Sequence, residues 1–127
     1  MSLPPYVTWE TPPELANEAL KLLEDIRKEG GKIRKGVNET TKAIERGQAK
    51  LVFIAMDVNP PEIVMHLPPL CEERGVPYLF VSSKTELGKA AGIERPASSA
   101  AIVDPSRLGD RLQKVINKIR ELRLARK

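Results

Sequence analysis

Cysteine, histidine and aromatic residues are all scarce in this chain of 127 residues. Cys71 is the one cysteine, so no disulfide can form within the chain, and together with the one histidine, His66, it cannot complete a zinc site. We therefore expect no metal, no cofactor and a reducing compartment, with both residues used for packing. Aromatic residues make up 4% of the chain, too few for a platform that stacks single-stranded bases.

The sequence also lacks an apolar run of about 18 residues, the length that a transmembrane helix needs. Its N-terminal stretch, MSLPPYVTWETPPE, has neither the basic start nor the apolar run of a signal peptide. These absences predict a cytoplasmic protein with no membrane partner. The length suits a single domain over residues 1–127, and a monomer is the default expectation.

Positive charge exceeds negative charge modestly, with a formal net charge of +4, but it is concentrated near the C-terminus. Residues 1–25 contain five acids and one lysine, whereas residues 107–127 contain eight basic residues and two acids. An anionic partner is a reasonable hypothesis, although net charge alone does not require one.

Helix and strand signals alternate along the chain. An extended arm over residues 1–11 precedes a helix that Thr11 is expected to cap, and a basic tail over residues 123–127 ends the chain. The basic segment KIRK predicts an edge strand, while the apolar runs LVFIAMD, YLFVS and AAIVD predict strands covered on both faces. The alternation predicts an α/β domain in which a sheet lies between layers of helices.

One short segment between two glycines, KGVNETTKAIERG at residues 35–47, has polar side chains along one face of a predicted helix. Asn38, Lys42 and Arg46 recur at every fourth residue, and Glu39 lies in the first turn. Composition alone favours a solvated surface helix with Asn38 as its cap. Alternatively, the cations contact RNA phosphates while Asn38 and Glu39 meet the open edge of guanine in sheared G·A pairs. A carboxylate among cations repels phosphates, so its presence is explained if it selects a base.

The stretch that runs from KGVNETTKAIERG through LVFIAMDVNPPEIVMHLPPLCEERG to VPYLFVSSKTELGKAAGI resembles the archaeal ribosomal protein family that binds kink-turn RNA. The similarity extends from about Glu14 to Leu112 and implies a three-layer α/β/α sandwich with a central mixed four-stranded sheet. Members of that family are not enzymes. They bind ribosomal RNA in the large subunit, nucleate box C/D and H/ACA guide ribonucleoproteins with other core proteins, and can join ribonuclease P.

The resemblance also implies a set of RNA-binding residues. The G·A pairs and the nearby backbone would be contacted by Gly36, Asn38, Glu39 and Lys42, and further phosphates by Lys35 and Arg46. Flanking the bulge would be Ile63 and Lys84. The extruded nucleotides would be covered by the loop residues Ile93, Glu94, Arg95, Pro96 and Ala97. The residues themselves agree in part, because apolar side chains in a loop near a glycine suit packing against an unstacked base. Taken singly, however, the loop residues could pack in the core, and Lys84 and Arg95 could be solvated cations. Relatives differ in the sequence of this loop, and that difference separates members that prefer kink-turns from members that prefer kink-loops.

Two other functions are compatible with parts of the sequence. Asp57 and Asp104 follow predicted strands, where α/β enzymes often place catalytic acids, but no nucleophile–base pair accompanies them and turn capping is the expected role. The region of Met56, Ile63 and Met65 could instead bind a protein partner, in which case binding would survive high salt and need no nucleic acid.

Overall fold

The computed structural model describes residues 3–125. Five α-helices and four strands alternate along the chain, in the order α1 (Pro13–Lys28), β1 (Lys32–Lys35), α2 (Val37–Glu45), β2 (Leu51–Ala55), α3 (Leu67–Arg74), β3 (Tyr78–Val81), α4 (Lys84–Ala90), β4 (Ser99–Asp104) and α5 (Gly109–Ala125). Short 3₁₀ helices at Pro61–Ile63 and Ser106–Leu108 precede α3 and α5.

The four strands form one mixed sheet in the order β1-β4-β2-β3. β2 and β3 are parallel, whereas β4 runs antiparallel to both β1 and β2. Helices α1 and α4 contact each other on the sheet, α2 and α3 form a second contacting pair, and α5 packs against α1. Every residue of β2 and β3 is buried, as continuous apolar runs predict. The predicted three-layer α/β/α sandwich and the position of KIRK at an edge are therefore confirmed.

The register defines two opposite ends of the sheet. Lys35 pairs with Ala100, Ile54 with Ser99, and Ala55 with Val81. The C-terminal ends of β1, β2 and β3 therefore lie beside the N-terminal end of β4. We call this end of the sheet the first edge, and we mean by it the place where strands end and not an outer strand. The second edge is the opposite side, where β1, β2 and β3 begin and β4 ends. Helix α2 follows β1 and precedes β2, so it runs from the first edge to the second.

The N-terminal arm packs closely against the domain. Residues 3–12 form neither helix nor strand, yet the side chains of Tyr6 and Trp9 are 3% and 5% exposed. The expectation that Thr11 caps α1 is wrong, because Pro12 occupies the cap position and the Thr11 hydroxyl accepts a hydrogen bond from the N–H of Phe80 at 3.0 Å. β3 is the outer strand on that side, so its outward N–H groups need partners from elsewhere in the chain. Residues 1 and 2 of the predicted arm lie outside the described residues.

The first residues of the predicted basic tail belong to the C-terminal helix. Residues 123–125, expected to begin a basic tail, form the last turn of α5, and residues 126 and 127 lie outside the described range. Arg123 bonds the carboxylate of Glu72 and places its guanidinium 5.9 Å from the ring centre of Trp9 and 5.0 Å from that of Tyr78. Arg123 thus joins α5 to the arm and to β3. Burial also raises the pKa of the Tyr78 hydroxyl to about 12.

Candidate functional site

The junction between β1 and α2 is a glycine at the first edge. Gly36 has φ of 92°, a left-handed value that residues with a Cβ rarely adopt. Its N–H donates to the carbonyl of Ser99 at 2.8 Å, and its carbonyl accepts from the N–H of Thr40 at 3.0 Å. Gly36 is therefore the cap residue of α2, and the expectation that Asn38 caps the helix is wrong. Asn38 is the second helical residue, and its side chain makes no capping bond.

The polar face of α2 is exposed to solvent. Asn38, Glu39, Lys42 and Arg46 lie on the outer side of the helix, while Thr40, Ala43 and Ile44 are buried beneath them. The Lys42 ammonium lies 3.5 Å from the Glu39 carboxylate, and both side chains are 53% exposed. An ion pair this exposed contributes at most about 1 kcal/mol, so a ligand can replace it at small cost.

Arg46 is separated from the other polar residues on this helix. It occupies the C-terminal cap position of α2, and eight residues of α-helix correspond to a rise of about 12 Å from Asn38. Asn38 and Glu39 therefore lie at the first edge together with Lys35, whereas Lys42 lies one turn along the helix and Arg46 lies near the second edge.

Backbone hydrogen bonds bring the loop between α4 and β4 to the same edge. The N–H of Ala55 donates to the carbonyl of Ser98 at 3.0 Å, and the N–H of Ala97 donates to the carbonyl of Lys84 at 2.9 Å. Gly88 on α4 lets the loop approach closely, since a Cβ there would lie 2.1 Å from the Arg95 carbonyl oxygen. The first edge therefore carries the start of α2, the start of α4 and the loop, joined by backbone hydrogen bonds.

The loop side chains differ in accessibility. Glu94, Arg95 and Pro96 are exposed, whereas Ile93 is half-buried against the core. Ala97 is 3% exposed, so its methyl group belongs to the core and leaves only its backbone near the surface. Lys84, at the start of α4, is half-buried.

The segment between β2 and α3 adds apolar and polar groups beside α2. Ile63 and Met65 are each 42% exposed. His66 is exposed as well, so the expectation that it packs in the core is wrong. Its Nε2 lies 2.9 Å from the Thr41 hydroxyl, which itself donates to the Val37 carbonyl at 2.7 Å. A hydroxyl has one hydrogen, so Nε2 must carry the proton of the His66–Thr41 bond.

The contact between His66 and Thr41 ties the approach to α3 to α2. The pattern of apolar spacing could not reveal it, because both residues are polar and far apart in sequence. The expectation that Cys71 is a packing residue is confirmed, since it is fully buried and burial raises its pKa to about 12.

Both strand-end aspartates accept backbone hydrogen bonds, but only Asp104 caps its own turn as expected, whereas Asp57 bonds the first residue of α4. Asp57 accepts a hydrogen bond from the N–H of Lys84 at 2.8 Å, and Asp104 accepts one from the N–H of Ser106 at 2.9 Å. Within residues 3–125, no group of three or more His, Cys, Asp or Glu side chains is placed to hold a metal ion. No helix in the same range combines the length and apolarity needed to cross a bilayer.

Comparison with known proteins shows the family of this chain. A model of the ribosomal protein L7Ae/L30e/S12e/Gadd45 family matches residues 17–110. The chain belongs to this family. Among solved structures, the chain is similar to the Giardia lamblia 15.5kD RNA binding protein, with 38% identity and a TM-score of 0.86. This structural match covers 93% of this chain and 98% of the Giardia lamblia chain. The family model, over residues 17–110, includes every residue of the predicted site.

Proposed function

We propose that this chain binds RNA through the first edge and recognises kink-turns there. One observation carries the proposal most directly: hydrogen bonds of the backbone hold the start of α2, the start of α4 and the 93–97 loop on one edge, with Asn38 and Glu39 on the surface between them. Similarity to an RNA-binding protein of Giardia lamblia supports the same class of partner.

Recognition of the G·A pairs is assigned to the first turn of α2. The Glu39 carboxylate accepts from the guanine N1–H, and the Asn38 amide donates to O6. The first N–H groups of a helix have no partner within it, so those of α2 are available to a phosphate. Lys42 contacts the backbone beside the pairs after releasing Glu39, and Lys35 and Arg46 support neighbouring phosphates.

The other segments of the edge contact the bulge. Ile63 and Lys84 flank it, and the exposed part of the 93–97 loop covers nucleotides that leave the stack, with Pro96 packing against a base. The protein then stabilises the bent RNA by binding that conformation more tightly than the extended one. No catalytic step is needed, and the hydrogen bonds of Asp57 and Asp104 give both carboxylates a structural use.

The RNA partners proposed for this surface are large-subunit ribosomal RNA, box C/D and H/ACA guide RNAs and ribonuclease P RNA, together with other core proteins of those particles. All of these RNAs would present the same bend to the same residues.

A gel-shift titration with two RNAs tests the proposal. One RNA contains a kink-turn, and its twin has the tandem G·A pairs replaced by Watson–Crick pairs. We expect tight binding of the first and salt-sensitive, weak binding of the second. Equal affinity for the two RNAs would overturn the proposed function.

A further inference from the structure

A second group of cations converges at the opposite side of the sheet. A pocket of about 450 Å³ at the second edge is lined by Lys50 before β2, Arg74 at the end of α3 and Arg120 on α5. None of its described lining residues is an Asp or Glu. Apolar side chains, among them Ile44 and Leu112, form much of the remaining lining, and apolar walls strengthen the field of nearby charges.

Two of these cations have no partner in the part of the chain that the structure describes. Within residues 3–125, the side chains of Lys50 and Arg120 make no hydrogen bond or ion pair. Two other cations of α5 are paired, since Arg111 bonds Asp25 at 2.9 Å and Lys118 bonds Glu18 at 2.8 Å, whereas Lys114 lies exposed outside the pocket. The charges at the pocket therefore remain available to an external anion.

The third cation compensates the end of a helix. Arg74 donates to the Glu45 carbonyl at 2.9 Å, and this bond offsets the negative end of the α2 dipole beside the pocket. The neighbouring carboxylate of Glu73 lies 3.8 Å from the Arg74 Nε, but it is 72% exposed and outside the lining. The field at the pocket is thus positive despite an adjacent helix C-terminus.

We propose that this pocket receives phosphates of an RNA backbone and forms a second contact region for an RNA bound at the first edge. The inference rests on the proposed function, because it assigns the course of the same RNA. Helix α2 links the regions: Lys42 and Arg46 lie along its outer side, and Gly47, which follows Arg46, lines the pocket. The five residues of β2 span about 17 Å between the edges.

An RNA strand fits this arrangement better than a single small anion does. Cations at Lys42, Arg46, Lys50 and Arg120 continue from the second turn of α2 to the pocket, and each strand of an RNA duplex carries one phosphate per base pair, about one per 3 Å of helix axis. A stem that leaves the bend along α2 therefore needs roughly six base pairs to reach the pocket. Shorter stems end before it.

Binding of two kink-turn RNAs by the variant Lys50→Ala/Arg120→Ala tests the inference. One RNA has stems of about four base pairs and the other stems of about twelve, chosen to end before or to pass the pocket. We expect the variant to bind the long RNA about tenfold more weakly than wild type at low salt, with a salt slope smaller by about 1.4–1.8. Its affinity for the short RNA should equal that of wild type.

Matched controls separate this effect from lost charge or lost structure. The variant Lys114→Ala/Arg107→Ala also removes one lysine and one arginine, at exposed positions outside the pocket, and should bind both RNAs like wild type. Thermal unfolding checks that each variant is folded, and the single substitutions replace the double variant if it is not. The inference is wrong if the pocket variant binds the long RNA as wild type does, or loses affinity for both lengths equally.

Two further readouts distinguish other outcomes. If wild type fails to discriminate the kink-turn from its G·A-disrupted twin, the proposed function fails, whatever the pocket variant does. If pyrophosphate raises the melting temperature of wild type but not of the pocket variant, while RNA affinity is unchanged, the pocket is a small-anion site and the inference is overturned.

Discussion

At the scale of single residues, Glu39 is the side chain whose position is hardest to explain by electrostatics alone. It lies near Lys35 and Lys42, where a carboxylate weakens attraction for phosphates. Its only ion pair, among the described residues, is the exposed one with Lys42 at 3.5 Å, which contributes little to folding. A role in selecting a base accounts for it, and such a role is separable from stability.

Substitution of Glu39 should therefore change specificity without unfolding the protein. We expect Glu39→Ala to lose about 1–3 kcal/mol of discrimination between a kink-turn and its G·A-disrupted twin. Glu45→Ala, which removes an exposed carboxylate from the other end of α2, serves as the control and should keep wild-type discrimination. Paired titrations measure both, and an unchanged ratio for Glu39→Ala contradicts the assignment.

The cations of α2 should affect affinity in a different way. Lys42→Ala and Arg46→Ala are each expected to weaken binding and to lower the salt slope by about 0.7–0.9, the contribution of one phosphate contact. Discrimination of the G·A pairs should change little for Arg46, which is at the far end of the helix. Binding measured over a series of salt concentrations tests this, with Lys28→Ala on α1 as a control that leaves the slope unchanged.

At the scale of elements, the fold was largely predictable because burial dominates it. The continuous apolar runs of β2 and β3 predicted covered strands and basic KIRK predicted an edge strand, and the structure contains both. The errors fell on polar side chains with more than one possible partner. Thr11 bonds β3 instead of α1, and His66 bonds Thr41 on the surface, because such choices depend on which elements become neighbours in the fold. The Lys50 and Arg120 pocket was missed for the same reason.

The close contact between α4 and the 93–97 loop also belongs to this scale, and Gly88 controls it. Gly88→Ala would place a Cβ 2.1 Å from the Arg95 carbonyl oxygen, so the loop must move. We expect a loss of about 1–3 kcal/mol in the free energy of unfolding, with weaker binding of kink-turn RNA. Denaturant unfolding and RNA titration measure the two effects.

A second glycine provides the control for that substitution. Gly109 begins α5 with ordinary helical dihedral angles, and the nearest atom to an added Cβ is 4.0 Å away. Gly109→Ala should leave RNA binding unchanged and stabilise the fold by about 0.4–1 kcal/mol, since it restricts the unfolded chain. Equal destabilisation by the two substitutions would show that the loop contact is not the cause.

At the scale of the whole molecule, the charges divide into those used within the fold and those left for a partner. Asp25 on α1 bonds Arg111 on α5 at 2.9 Å and lies 3.4 Å from Lys21. The hydrogen bond from Arg111 is the main cause that lowers the pKa of Asp25, and Lys21 adds to it. The paired charges join the terminal helices. By contrast, Arg46 on α2 and the pocket cations Lys50 and Arg120 form no ion pair with a carboxylate within residues 3–125. Arg74, the third pocket cation, has only an exposed contact with Glu73 in that range.

The pairing of Asp25 makes the stability of the domain depend on pH in a definite direction. A carboxyl whose pKa is lower in the folded state binds its proton more readily when unfolded, so its contribution is full above the ordinary pKa of about 3.9 and is lost as pH falls through the folded value. We expect Asp25→Asn to be less stable than wild type near neutral pH, by at most about 1 kcal/mol because the pair is partly exposed. The difference should vanish in acid. Denaturant unfolding at a series of acidic pH values measures this difference, and Glu14→Gln on the same helix serves as the control. If Asp25→Asn remains less stable than wild type in acid, packing and not charge holds α1 to α5.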